Sequence, residues 1–203
     1  MNCLAIDTGG NHLTVLLIKE GKVYKRYIEN AMLKHSVTLM PEIENLLIET
    51  DTQLNSIDKY CAVVGPGSFT GIRIGVSAIK ALAYANNKNV FGVTSFLSLA
   101  YNSDEDKILS VIDAKHGNFY VCGFDGKNET IKPCFVSVDE LKTLAKGYTV
   151  VSDCELDIDY IKGDYLKGFE KAVLDNYEKE SLNIEELVPL YVKKSQAEEE
   201  RNG

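Results

Sequence analysis

The chain has 203 residues, a formal net charge of −8 and a hydrophobic share of 45%. Such a length fits one large domain or two small ones. The acidic balance argues against broad contact with nucleic-acid phosphates by this chain alone. No apolar run approaches the ~20 residues of a membrane span. The N-terminal Cys3-Leu4-Ala5-Ile6-Asp7 reads as a buried strand without the basic flank of a signal peptide. The five cysteines, Cys3, Cys61, Cys122, Cys134 and Cys154, show no C-x-x-C spacing, which suits a cytoplasmic protein.

In chain order, Asn2–Asp7 reads as a strand, and 12–19 and 23–29 as a hairpin around Glu20-Gly21-Lys22. Leu39, Met40, Ile43, Leu46 and Leu47 have helical spacing. Thr38 as cap leaves Pro41 in the tolerated first turn; a start at Ser36 predicts a kink. A strand over 60–64 runs into Gly65-Pro66-Gly67-Ser68-Phe69-Thr70-Gly71 and then a helix to about Asn86. A short strand over 90–93 and a short helix over 95–101 follow. The polar run 102–106 predicts a boundary between domains 1–102 and 103–203.

Beyond it the order repeats. Strands are expected over 108–113, 118–124 and 131–136, a helix opens at the capping box Ser137-Val138-Asp139-Glu140, and a strand covers 148–151. Each half starts with a strand ending in aspartate, Asp7 or Asp113. The pattern predicts two similar α/β domains whose first three strands form an antiparallel meander. Residues 164–178 read as helix, 188–191 as extended, and 197–200 as a solvated acidic tail.

The glycine loop is the most informative stretch. A Walker loop fails because Thr70 stands where its second glycine belongs and Ile72 follows Gly71. The dinucleotide pattern fails at Thr70 as well. A nucleophile elbow around Ser68 finds Pro66 and Thr70 where it needs glycine. The loop therefore reads as a tight turn, with Ser68 or Thr70 capping the next helix. In that helix Ile72, Val76, Ile79 and Ala83 share a sheet-facing side. Gly71, Ile74, Ala78, Ala81 and Ala85 form a second apolar strip, and two apolar sides imply burial twice over. Either the chain's own first helix or a partner covers that strip.

Residues 65–75 closely match the signature of the TsaB (YeaZ) family, and further segments are similar to it: Ile6-Asp7-Thr8, His35-Ser36 with Leu39-Met40-Pro41, Asp113-Ala114-Lys115 with Tyr120, Pro189-Leu190-Tyr191-Val192-Lys193, and Gln196-Ala197-Glu198. Lys193 stands near a position where the family usually has arginine. The resemblance implies two tandem ribonuclease-H-like domains of the actin/Hsp70/sugar-kinase superfamily. It implies a non-catalytic subunit for threonylcarbamoyladenosine modification of tRNA, pairing with a TsaD-like transferase and, through the complex, a TsaE-like ATPase. ATP and Mg²⁺ would be used by those partners, with no cofactor in this chain alone, and tRNA would be met only within the complex.

On the family pattern His35, Leu39, Ile43, Phe69, Gly71, Ile74, Gly75, Ala78, Ala81 and Ala85 are expected at the partner contact, a face that could also form a homodimer. A rival reading is a small actin-like ATPase or kinase with Asp7, Gly9, Gly10 and Asp113 around an interdomain cleft. Its bland counterpart is that both aspartates cap strand-end turns. A metal pair on the first helix is not expected, because the position four after His35 is Leu39.

Overall fold

A computed structural model describes residues 1–126 and 128–193. The expected tail at 197–200 and the Gln196-Ala197-Glu198 segment lie outside the described residues. The first sheet contains β1 (Cys3–Asp7), β2 (Leu13–Lys19), β3 (Lys22–Ile28), β4 (Lys59–Gly65) and β5 (Asn89–Thr94), in the order β3-β2-β1-β4-β5. The second contains β6 (Lys107–Asp113), β7 (Asn118–Asp125), β8 (Asn128–Ser137), β9 (Thr149–Ser152) and β10 (Ile161–Lys162), in the order β10-β9-β6-β7-β8. Read from the meander, both sheets have the same order. Antiparallel pairing joins each group of three strands, and parallel pairing joins the rest. The repeated strand order gives the two tandem ribonuclease-H-like halves that the sequence reading expects.

Strand alternation gives the first sheet two buried faces. Leu4, Ile6, Val15, Leu17, Tyr60 and Ala62 face α1 (His35–Glu49) and α2 (Phe69–Ala85). Cys3, Ala5, Leu16, Ile18, Cys61 and Val63 face the other way, onto Phe169, Ala172 and Val173 of α5 (Tyr165–Asn176). The short α3 (Ser95–Ala100) packs between the sheets, and Ser110 Oγ of β6 donates to its Phe96 carbonyl at 2.8 Å. The second sheet carries α4 (Val138–Leu144), opened by the expected capping box, with the Ser137 N–H donating to Glu140 at 2.8 Å.

The two sheets lie on either side of residues 102–106, yet α5 and the segment 182–193 pack back onto the first sheet. That segment is a strap. Leu182 bridges Val90, Leu187 is buried against Gly92, and the Leu190 N–H donates to the Val64 carbonyl at 2.7 Å.

Helix α1 begins at His35, earlier than either expected start, and Pro41 lies in its interior. The cause is a tertiary anchor. His35 is 1% exposed, and its Nε2 donates to the His12 carbonyl at 2.9 Å. The helix runs to Glu49 despite the missing Pro41 N–H.

Candidate functional site: a closed cleft and an open helical face

At the end of β4 the chain turns through Gly65–Ser68 into α2, and Ser68 caps that helix by accepting from the Gly71 N–H at 3.2 Å. The loop presses onto the segment that links β1 to β2. The Ser68 N–H donates to the Gly9 carbonyl at 2.7 Å. A Cβ on Gly67 would lie 2.3 Å from that same oxygen. Thr8, itself buried, donates from Oγ1 to the Gly71 carbonyl at 2.7 Å. The glycines of the signature thus permit contact between two backbones, which a side chain would prevent.

Between the sheets lies a cleft of about 570 Å³, reached by Asp7, Gly9, Gly10, Asp113 and Ser68. The structure does bring the four cleft residues of the rival reading together. Asp7, Gly9 and Asp113 make hydrogen bonds within the chain. Asp7 Oδ1 accepts from the Gly9 N–H at 2.8 Å, and Oδ2 lies 2.9 Å from His12 Nε2. Asp113 accepts from the Lys115 N–H at 2.7 Å and from its Nζ at 2.5 Å. Lys115 holds the Asp113 carboxyl below its usual range. The Gly9 carbonyl accepts from Ser68, so the segment carrying Gly9 and Gly10 is held against the signature loop, and both line the cleft.

His12, Asp153 and Tyr165, given no cleft role in the sequence reading, also line this cleft. The His12 ring is stacked between Tyr27 and Tyr165, with centroids at 5.6 and 5.3 Å. Burial lowers the His12 pKa, but the charge and hydrogen bond of Asp7 outweigh it, and the net shift is upward. Tyr165 donates to Asp153 Oδ2 at 3.0 Å, while Asp153 Oδ1 accepts from the Asp113 N–H at 3.1 Å. Burial raises the Asp153 pKa. The network therefore ties β1 and β2 of the first sheet to β6 and the end of β9 in the second. Alternating patterns could have marked His12 as inward-facing, since it directly precedes β2, but its aromatic neighbours come from distant segments.

Helix α1, the 51–54 turn that follows it and Leu82 of α2 line a groove of about 690 Å³, in which Met40, Ile43, Leu47, Ile48 and Leu54 stand beside Glu44, Asp51, Thr52 and Gln53. Val37, Met40 and Ile48 of α1 are exposed, the last two at the groove itself. On α2, Ile74 and Ala78 are half-buried, and Ala81 and Ala85 are exposed. The chain's own α1 therefore does not fully cover the strip.

The residues expected at the contact differ in exposure. His35, Leu39 and Ile43 are buried within the core, because they form the inner side of α1. Gly71 and Gly75 are buried against Thr8, where a Cβ would lie 2.0 Å from its carbonyl and 2.4 Å from its Oγ1. Phe69 is exposed on the other flank of α2, against Tyr191 of the strap. Ile74, Ala78, Ala81 and Ala85 remain on the accessible strip. Among the described residues there is no metal-ligating cluster of three or more His, Cys, Asp or Glu, and no helix long and apolar enough to cross a membrane.

Comparison with known proteins places this architecture. A family model described as "TsaD: tRNA N6-adenosine threonylcarbamoyltransferase" matches residues 28–162. The tRNA threonylcarbamoyladenosine biosynthesis protein TsaB of Bacillus subtilis is 30% identical over 224 aligned positions, covering 98% of this chain and 96% of its own. The protein of the same name in Escherichia coli is 31% identical over 59% of this chain and 53% of its own. The solved structure of YeaZ from Pseudomonas aeruginosa superposes with a TM-score of 0.78 at 20% identity, covering 94% of this chain and 99% of that one, a likeness of fold. With its signature loop, doubled sheet order and near full-length match in agreement, the chain belongs to the TsaB (YeaZ) family.

Proposed function

We propose that this chain serves threonylcarbamoyladenosine modification of tRNA as a non-catalytic subunit. It docks through the α1–α2 face onto a TsaD-like transferase, stabilises that enzyme's competent conformation, and helps build the surface joined by a TsaE-like ATPase. ATP and Mg²⁺ act on the partners, and the protein works in the cytoplasm. The observation that carries this reading is the uncovered apolar surface of the two helices, with Val37, Met40 and Ile48 exposed on α1 beside its groove and Ala81 and Ala85 exposed on α2. An exposed apolar face of this kind suits a helix from another protein. Small side chains at Ala78, Ala81 and Ala85 allow close approach. In the absence of the transferase, a second copy of the chain takes the same face with two-fold symmetry.

The internal pairing in the cleft supports a supporting role over catalysis. An ATPase would need Asp7, Asp113 and the Gly9-Gly10 turn available to phosphate and metal, and Asp7, Asp113 and Gly9 make hydrogen bonds within the chain. Light scattering with size exclusion, with and without a TsaD-like transferase, tests the proposal. Formation of a heterodimer at micromolar concentration is expected. Persistence of a homodimer or monomer in the mixture, or Mg²⁺-dependent ATP turnover lost in Asp7→Asn, overturns it.

A further inference from the structure

The two flanks of α2 differ in chemistry. The flank beside α1 is aliphatic. The other meets the strap and gathers aromatic rings and cations. The Arg73 guanidinium lies 3.8 Å over the Phe69 ring centroid, and its Nε donates to the Tyr191 hydroxyl at 2.8 Å. Phe69 and Tyr191 stand 5.1 Å apart and are 42% and 43% exposed. Two residues along the strap, the Lys193 ammonium lies 5.1 Å over the ring of Phe135, which is 39% exposed and tilted against Tyr120. Two residues of chain span at most ~7 Å, so both clusters belong to one band. Arg26 is tied to Glu42 and Glu49, whereas no carboxylate among the described residues pairs with Arg73.

We propose that this band binds unpaired RNA, with bases stacked against the exposed parts of the Tyr191 and Phe135 rings and a phosphate held by the terminal nitrogens of Arg73. The inference rests on the tRNA-modification reading and adds a direct nucleic-acid contact to it. Single-stranded recognition combines aromatic platforms with cations that follow the backbone. Arg73 is fixed in place by a ring beneath it and a hydroxyl beside it, so less freedom is lost when it takes a phosphate. A protein helix of the kind suited to the α1–α2 groove would meet aliphatic side chains, and this band offers flat π faces instead. Because the two surfaces lie on different flanks of α2, the transferase and RNA can be held together. The overall charge of −8 makes the long-range attraction weak, so stacking supplies most of the affinity.

The test measures fluorescence anisotropy of a labelled anticodon stem–loop and of labelled oligouridylate, using the full chain in complex with a TsaD-like transferase. Tyr191→Ala and Arg73→Gln are each expected to weaken binding about tenfold. Arg73→Gln should also reduce the salt slope by ~0.7. Tyr191→Phe keeps the ring but frees Arg73 from its hydroxyl anchor, and should weaken binding less than Tyr191→Ala. Thermal melting checks that each variant is folded. Unchanged RNA affinity in folded Tyr191→Ala and Arg73→Gln overturns the inference. So does weakened transferase binding with RNA affinity intact, which would make the band a protein contact. Failure of the complex to form sinks the proposed function instead, and oligouridylate binding by the chain alone, with the same variants, then decides the band separately.

Discussion

Gly67 and Gly9 meet backbone to backbone, with the Gly9 carbonyl receiving the Ser68 N–H at 2.7 Å and leaving no room for a side chain at position 67. Gly67→Ala must displace one loop from the other. Overpacking of this type costs about 1–3 kcal/mol. Urea unfolding of the variant should show a lower midpoint with an unchanged slope. An unchanged midpoint would mean that the two loops separate freely.

Ala78 is half-buried on the accessible strip of α2. Ala78→Arg should leave the fold within about 0.5 kcal/mol of the parent, yet reduce binding to the transferase or to a second copy, since a charge would be buried at the contact. Calorimetry and light scattering together read both properties. Unfolding of the monomer would place the position in the chain's own core; unaltered association would remove it from the interface.

The His12–Asp7 pair gives stability a pH dependence. The folded His12 has a pKa above its ordinary 6.5, because the attraction of Asp7 exceeds the opposing effect of burial. The folded state therefore holds the proton more tightly than the unfolded one. Its contribution is complete below about 6.5 and is lost as pH rises through the folded value. Relative to His12→Gln, the parent should gain stability on acidification across that window. Asp153, raised by burial above 3.8, acts in the same direction over a lower window, between 3.8 and its raised value. Equal pH profiles for parent and His12→Gln would show that the pair carries no net proton linkage.

Leu187, 1% exposed, belongs to the core of the first sheet although it lies far along the chain. Leu187→Ala should cost about 2–5 kcal/mol in unfolding free energy. A loss well under 1 kcal/mol would mean that the strap rests on a sheet already closed without it.

Much of the fold was legible because its signals are local. Alternation marked the strands, Ser68 stood where a cap was needed, and Ser137 with Glu140 announced α4. The inner face of α2, with Ile72, Val76, Ile79 and Ala83, followed from helical periodicity. The site was less legible, since periodicity reports that a position is buried and not what buries it. Gly71 and Gly75 share apolar spacing with Ala78, but only the fold puts Thr8 against them. The same holds for Phe69, drawn to the strap by Tyr191, and for His12, enclosed by rings from β3 and α5.

The return of α5 and the strap has a consequence for biogenesis. During synthesis from the N-terminus, the first lobe emerges from the ribosome with Cys3, Ala5, Leu16, Ile18, Cys61 and Val63 on a bare surface, because their cover arrives only with Phe169, Ala172 and Val173. Nascent chains paused before residue 165 should consequently recruit holdases and adhere to one another, a hazard relieved once the last quarter of the polypeptide is translated.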